Sequence, residues 1–292
     1  MLKKNLVRTS FLGHGLLLFI PNTGTIKGRQ SQKEAVAIEG YQWLFKNRPS
    51  LDTVILRTDS SGRHLTEDEK LAAPKILLNK NAITYVKGFM KREKEALEKV
   101  SARGERYFPM IDSIFNQYGL PLELRYLAIV ESYLKTNAVS KMGAKGMWQF
   151  MPVTARELGL RIKGKYDERT HAVKSTVAAA KYLRSLYKEF GDWLLVLAAY
   201  NGGPGTVYKA IKRSGSKNFW ALQRFLPEES RGHVKRFIGT HFYFEGAGGV
   251  TTQTKAESIA YKKQLDQYLA SLIKKEIESD STKIATLNTV MQ

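Results

Sequence analysis

The feature that most constrains this chain is an apolar run that carries one carboxylate near its end. Residues 122–134 are apolar at almost every position and follow Pro121, a residue favoured where helices begin. A helix that is apolar all round is normally buried. Glu131 follows Leu124 by seven residues and Leu127 by four, so the three share one helical face. A carboxyl group removed from water prefers its protonated form, and the negative end of a helix favours that form too. We therefore predict that Glu131 is a general acid.

The balance of charge indicates what kind of partner the protein meets. The 292 residues are 43% hydrophobic and 25% charged, which is ordinary for a globular protein, but the net charge is +20. Such a charge predicts a polyanionic partner: nucleic acid, an anionic membrane surface or an anionic wall polymer. A solvated basic surface that only promotes solubility is the alternative. The sequence has no cysteine, which excludes disulfides and thiolate metal sites.

The first 24 residues have the composition of an export signal. Lys3, Lys4 and Arg8 form a basic segment, and residues 11–20 form an apolar run that is short for a membrane span. We predict a signal peptide or N-terminal anchor over 1–24 and a place in the periplasm or cell envelope. A disordered basic tail is the alternative, since no clear cleavage site follows. No other stretch is long and apolar enough to be a membrane segment.

Changes of pattern divide the rest of the chain into three parts. Residues 25–80 form an N-terminal extension with a predicted helix over 33–45 and a short strand at 54–56. Residues 81–250 are mostly helical in pattern and form the predicted catalytic domain. Residues 251–292 form a tail with an amphipathic helix, and we expect disorder beyond Ser279.

The segment from Ser140 to Pro152 combines glycines, aromatic residues and an amide. Its sequence is SKMGAKGMWQFMP, in which Gly143 and Gly146 permit tight turns or close approach to a ligand. Gln149 can both donate and accept hydrogen bonds. Apolar surface is expected from Met147, Trp148, Phe150 and Met151. Together these residues suit a groove for a sugar with N-acetyl groups, and a set of core residues around a glycine turn is the alternative.

Several motifs occur together and in a fixed order. Glu131-Ser132, the 140–152 segment and A-Y-N-G-G from Ala199 resemble the lytic murein transglycosylases of the soluble-enzyme family. The resemblance extends over roughly 81–244. It implies a mainly α, goose-type lysozyme-like transglycosylase domain, flanked here by a helical N-terminal extension and a C-terminal helical tail. It also implies cleavage of the glycan strands of peptidoglycan, without nucleic acid as a partner.

The resemblance assigns roles to individual positions. Glu131 matches the catalytic acid/base, and Ser140 matches a serine near the reacting sugar. The phenol of Tyr200 is implied to help hold the glutamate. The positions implied to bind substrate are Ser140, Gln149, Met151, Tyr200 and Asn201.

The chain also departs from the family pattern. His233 stands where the family usually has a second tyrosine, which weakens a catalytic role for this position. His171 stands where many relatives carry an acid. The lipid-anchoring cysteine is missing, and no wall-binding repeat is recognisable after Phe244.

The number of available carboxylates bears on the mechanism. Ordinary glycosidases use two carboxyl groups. Asp167 and Glu168 are the serious candidates for a second one, but their position fits a helix N-terminus better. Glu131 is therefore predicted to act alone and to produce 1,6-anhydro-N-acetylmuramic acid ends, with no metal or cofactor. A hydrolytic muramidase that uses Asp167 or Glu168 to position water, and a non-catalytic wall-binding module, are the alternatives.

Overall fold

The computed structural model describes residues 64–290, with side chains as far as 284. The predictions for 1–24, 33–45 and 54–56 lie outside the described residues. Within them the chain is mainly α-helical, as predicted. The helices are α1 Glu67–Ala72, α2 Lys80–Gln117, α3 Tyr126–Ser132, α4 Pro152–Glu157, α5 Ala172–Phe190, α6 Trp193–Gly202, α7 Pro204–Ser214, α8 Phe219–Leu222, α9 Glu228–Glu245 and α10 Lys255–Val290.

Short elements connect these helices. A two-stranded antiparallel ribbon pairs β1, Ile162–Lys163, with β2, Tyr166–Asp167. Four 3₁₀ turns complete the described elements: Leu122–Arg125, Glu168–Thr170, Gln223–Phe225 and Val250–Thr252.

The longest structural support for the site is α2. Its 38 residues correspond to about 57 Å of helix. Asn79 caps its first turn, where its side chain accepts a hydrogen bond from the amide of Asn81 (2.9 Å). One face of α2 is buried against α9 and α5, through residues such as Val100, Ile111 and Phe115. The predicted helical pattern that starts near Asn81 is therefore one continuous helix.

Two helices with little polar surface form the centre of the core. The predicted buried helix exists as the 3₁₀ turn Leu122–Arg125 followed by α3, in which Leu127, Ala128 and Ile129 are buried. In α6 every residue from Trp193 to Ala199 is buried. The side chain of Asp192 begins α6 by accepting from the amides of Leu194 and Leu195. Both α3 and α6 pack against α9, which brings distant parts of the sequence to one place.

The C-terminal tail differs from its prediction. The chain is not disordered beyond Ser279, because α10 continues to Val290. No glycine or proline interrupts it, and Lys274 and Glu278 form an i,i+4 ion pair (3.8 Å). Its first half packs on the segment that includes α1, where Leu265 and Leu272 contact Leu65 and Ala73. Of the helices that the structure describes, none has the length and apolar character needed to cross a membrane.

Candidate active site

Glu131 lies in the last turn of α3, immediately before a sharp change of backbone direction. Two and three residues later, Tyr133 and Leu134 both have left-handed backbone conformations, with φ of 52° and 62°. Such angles are unfavourable for residues with a side chain and persist only where the surroundings hold them. Here the amide of Tyr133 donates to the carbonyl of Ile129 (2.8 Å), and that of Leu134 to the carbonyl of Ala128 (3.2 Å). This strained cap ends α3 one residue after Glu131, so the carboxyl lies at the C-terminal end of the helix.

The carboxyl group of Glu131 is largely but not fully buried. Its side chain is 13% exposed, so part of it reaches the surface. Oε1 lies 2.8 Å from Nε2 of His233, whose side chain is only 2% exposed. The carboxyl therefore contacts a buried imidazole, while the side chain that carries it stays partly exposed.

His233 is the partner of Glu131 that the sequence alone did not predict. The departure from tyrosine suggested a weaker role, but α9 brings its imidazole into hydrogen-bonding contact with Glu131. Nδ1 of the same ring is buried and has no hydrogen-bond partner in residues 64–284. The only signal in the sequence was the position of His233 within the family motif.

Tyr200, in the last turns of α6, makes a hydrogen bond to the 140–152 loop. Its hydroxyl donates to the backbone carbonyl of Trp148 (2.8 Å). Burial, and secondly the negative charge of Glu131, raise the pKa of Tyr200 well above its ordinary value. The phenol therefore stays a proton donor and fixes the backbone beside the carboxyl.

The loop 140–152 is held by the polar residues predicted to meet the substrate. Oγ of Ser140 accepts from the amide of Ala144 (3.0 Å). Gln149 has a left-handed backbone (φ 48°), and its Nε2 donates to the carbonyl of Gly146 (2.7 Å). Met151 is 41% exposed, and Met142 of the same loop is 80% exposed, so both present apolar surface to solvent.

Three other side chains of this loop are core residues. Met147, Trp148 and Phe150 were predicted to supply groove surface, but they are almost completely buried. The indole nitrogen of Trp148 donates to Oγ1 of Thr176 on α5 (3.0 Å). Oγ of Ser132, next to the candidate acid, donates to the carbonyl of Met147 (2.8 Å). For these three residues the alternative, a core around a glycine turn, is correct.

A buried arginine closes the base of the loop. Nη1 of Arg169 donates to the carbonyls of Gly143 and Phe150, each at 2.9 Å. Its other side forms a two-point contact with Asp167, at 3.0 and 2.8 Å. The backbone of Arg169 also approaches Gly146 so closely that a Cβ there would lie 1.9 Å from its carbonyl oxygen. Only glycine fits at that position, which also has φ +88°.

The two candidates for a second carboxylate are both held in ion pairs. Hydrogen bonds from Arg169, with the nearby Lys145, lower the pKa of Asp167 to about 2. Lys174 and Arg161 bind Glu168, and their hydrogen bonds hold the pKa of its carboxyl well below the ordinary value. Because both carboxylates are paired with cations, neither is available near neutral pH as a base that takes a proton from water.

The remaining predicted residues have structural contacts. Oδ1 of Asn201 accepts from Oγ of Ser230 (2.9 Å), which joins the end of α6 to α9. His171 caps α5, with its Nδ1 accepting from the amide of Lys174 (3.4 Å). Within the described part of the chain, no group of three or more histidine or acidic side chains could hold a metal ion.

Comparison with known proteins identifies the domain that carries this site. Residues 110–223 match the family described as the transglycosylase SLT domain. The chain is 41% identical over 152 residues to membrane-bound lytic murein transglycosylase D of Escherichia coli K12, a match covering 50% of this chain and 33% of the relative. It is 32% identical over 176 residues to peptidoglycan transglycosylase gp16 of Escherichia phage T7, covering 54% of this chain and 13% of the relative.

Among solved structures, the 70 kDa soluble lytic transglycosylase of E. coli shares 18% identity, with a TM-score of 0.42. That match covers 78% of this chain and 46% of the other. The chain thus spans a third or less of the two curated relatives named above. The match over 110–223 includes Glu131, the 140–152 loop and Tyr200, and it confirms the predicted SLT-like domain. Residues 110–223 are thus similar to the transglycosylase SLT domain.

Proposed function

We propose that the protein is a peptidoglycan lytic transglycosylase. It would cleave the β-1,4 bond between N-acetylmuramic acid and N-acetylglucosamine. The observation that carries this proposal is the state of the carboxyl groups: Glu131 is partly exposed and contacts a histidine, whereas Asp167 and Glu168 are paired with arginine and lysine. A single available carboxyl suits a reaction in which one group gives a proton and then takes one back.

The first step is protonation of the leaving oxygen. Glu131 in its acid form gives its proton to the glycosidic oxygen, and the bond from that oxygen to the anomeric carbon breaks. Positive charge develops on the sugar, and the N-acetyl group can stabilise it from within the substrate. The carboxylate that remains bears a negative charge next to His233, a contact that is already formed (2.8 Å).

The second step closes the ring. The 6-hydroxyl of the same sugar attacks the anomeric carbon, and Glu131 removes the hydroxyl proton. The product is a 1,6-anhydro-N-acetylmuramic acid end, and Glu131 is again in its acid form. No water is consumed, so a second carboxylate to activate water is unnecessary.

The residues around Glu131 are proposed to form the sugar-binding groove. Met151 offers exposed apolar surface, and the amide of Gln149 and the hydroxyl of Ser140 lie on the loop behind it. Tyr200 and Asn201 are proposed to act by positioning their neighbours, since Tyr200 donates to the carbonyl of Trp148 and Asn201 accepts from Oγ of Ser230.

The charge of the chain suits an envelope location. A net charge of +20 favours binding to the carboxylates of wall peptides and to other anionic wall polymers. We propose that the protein is exported, by a signal or anchor in residues 1–24, and acts on glycan strands in the periplasm. The mechanism uses no metal or organic cofactor.

Mass spectrometry of digested sacculi tests the reaction. We expect the wild-type protein to release muropeptides with anhydro ends, and Glu131→Gln to release none. Glu157→Gln, which changes an exposed glutamate of α4, is the matched control and should act like wild type. Products with reducing ends would overturn the proposal in favour of a hydrolytic muramidase. Binding of sacculi without any cleavage would favour a wall-binding module.

A further inference from the structure

The contact between Glu131 and His233 raises the question of which oxygen of the carboxyl faces the substrate. Oε1 is within hydrogen-bond distance of Nε2, and the imidazole lies behind it, 2% exposed. The side chain of Glu131 is 13% exposed, and Oε1 is the oxygen that contacts the ring. We propose that His233 is a positioning residue that binds Oε1 and leaves Oε2 as the oxygen that exchanges protons with the sugar. This inference rests on the proposed function.

The hydrogen on the imidazole can be assigned from its surroundings. In the neutral ring one nitrogen carries hydrogen and the other is an acceptor. Nδ1 is buried and has no hydrogen-bond partner in residues 64–284, so a hydrogen placed there would be a buried donor without an acceptor. Nε2 faces a carboxyl oxygen. The structure assigns the hydrogen to Nε2.

This tautomer suits both states that the reaction requires. When Glu131 is a carboxylate, the Nε2 hydrogen stabilises its charge at Oε1. When Oε2 carries the proton, Oε1 is the carbonyl-like oxygen and accepts the same hydrogen bond. The imidazole therefore need not change tautomer between the two steps, and the carboxyl need not rotate.

The donor is held in place by helix packing. His233 belongs to α9, which packs against α2, α3 and α6. Val234 and Phe237, on the same helix, are fully buried. Oγ of Ser230, one turn earlier, donates to Asn201 on α6. A donor fixed by the core rather than by a surface loop keeps its direction when substrate binds.

Substitution tests whether the hydrogen-bond donor is what matters. His233→Phe keeps an aromatic ring and removes the donor, so kcat on sacculi should fall by about 10² to 10³, the usual effect of losing one such donor, with KM changed less than about threefold. His233→Gln places an amide donor near the Nε2 position, and His233→Tyr supplies a hydroxyl. We expect both to recover kcat to within about tenfold of wild type. Equal losses in all three folded variants, or none in His233→Phe, would overturn the proposal.

A spectroscopic measurement does not depend on the variants folding. In wild-type protein labelled with ¹⁵N-histidine, we expect the His233 nitrogens to show hydrogen on Nε2 and none on Nδ1. In Glu131→Gln the Nε2 resonance should shift and the Nδ1 resonance should change less. Hydrogen found on Nδ1 at the pH of the assay would overturn the assignment. The function and the inference fail separately: anhydro products from Glu131→Gln would sink the function, whereas an inactive Glu131→Gln beside a fully active His233→Phe would sink only the role of His233.

Discussion

Two groups of buried or half-buried carboxylates lie on the same domain, and they are treated in opposite ways. Asp167 and Glu168 are each bound by cationic side chains, and the pKa of both carboxyls is lowered. Glu131 is bound through one oxygen by the imidazole of His233 and retains an exposed edge. A carboxylate fixed in an ion pair can hold a loop, but it is a poor proton carrier near neutral pH. On the proposed function, this difference in partner separates structural carboxylates from the one that reacts.

The largest expected effect comes from exchanging the two kinds of carboxyl for amides. Glu131→Gln should lower kcat on sacculi by about 10³ or more, because general acid–base catalysis contributes about 10²–10⁴ and this group acts twice. Glu168→Gln should keep kcat within about threefold, since its ion pairs fix local structure only. Steady-state release of soluble muropeptides measures both. Equal losses in the two variants would remove the distinction drawn above.

The next largest effect is expected from removing Arg169, the cation that binds Asp167. Arg169→Met leaves Asp167 buried with its main partner gone, and breaking a buried pair in this way costs about 3–5 kcal/mol of unfolding free energy. Urea denaturation followed by circular dichroism measures the change. Arg184→Met, at an exposed position of α5, is the control and should lie within about 0.5 kcal/mol of wild type. A loss below about 1 kcal/mol in Arg169→Met would show that the ion pair does not support the loop.

Two glycines of the loop test whether its close contact with Arg169 contributes to stability. Gly146→Ala should destabilise the protein by at least about 3 kcal/mol, because its Cβ would meet the carbonyl of Arg169 and its φ is +88°. Gly143→Ala has a similar φ of +85° but no atom within 4 Å of the new Cβ, so only the backbone cost of about 1–2 kcal/mol applies. Thermal unfolding compares the two. Equal stability of the two variants would show that the close approach of Gly146 to Arg169 does not matter for stability.

The smallest effect is a dependence on pH. The pKa of Asp167 is about 2 in the folded protein, below the ordinary 3.8. Its ion pair therefore stabilises the fold above about pH 4, and this contribution is lost as the pH falls towards 2. The difference corresponds to about 2 kcal/mol. The free energy of unfolding of Asp167→Asn should fall less steeply between pH 4 and pH 2 than that of wild type, as measured by urea titrations at each pH.

The sequence predicted the buried helix that carries Glu131 but not the histidine that contacts this residue. An apolar run with one acid predicted a buried helix that carries Glu131, because helical periodicity is a local property. His233 is 102 residues away, and its contact with Glu131 exists only because α9 packs on α3. The family motif drew attention to His233, but it could not predict that this residue lies within hydrogen-bond distance of Glu131.

The orientation of the loop residues was also beyond the sequence. Whether Trp148 and Phe150 face a groove or the core depends on the backbone between them. The left-handed conformation of Gln149 reverses the chain there, and both aromatic rings lie in the core. Met151, two residues after Gln149, remains exposed. The end of α10 was missed for the opposite reason, since local helix propensity was enough to extend it without a core.

The single guanidinium that joins Gly143 and Phe150 has a consequence for the motions of the loop. Arg169 binds the carbonyls of both Gly143 and Phe150. When this guanidinium moves away, both parts of the loop therefore lose their contact together. The amides of Ser140 and Lys145, which bond to the carbonyls of Ala144 and Phe150 in the same segment, should then become accessible to solvent deuterium in one event. Hydrogen exchange would show these amides with a common rate, as one small cooperative unit beside the carboxyl.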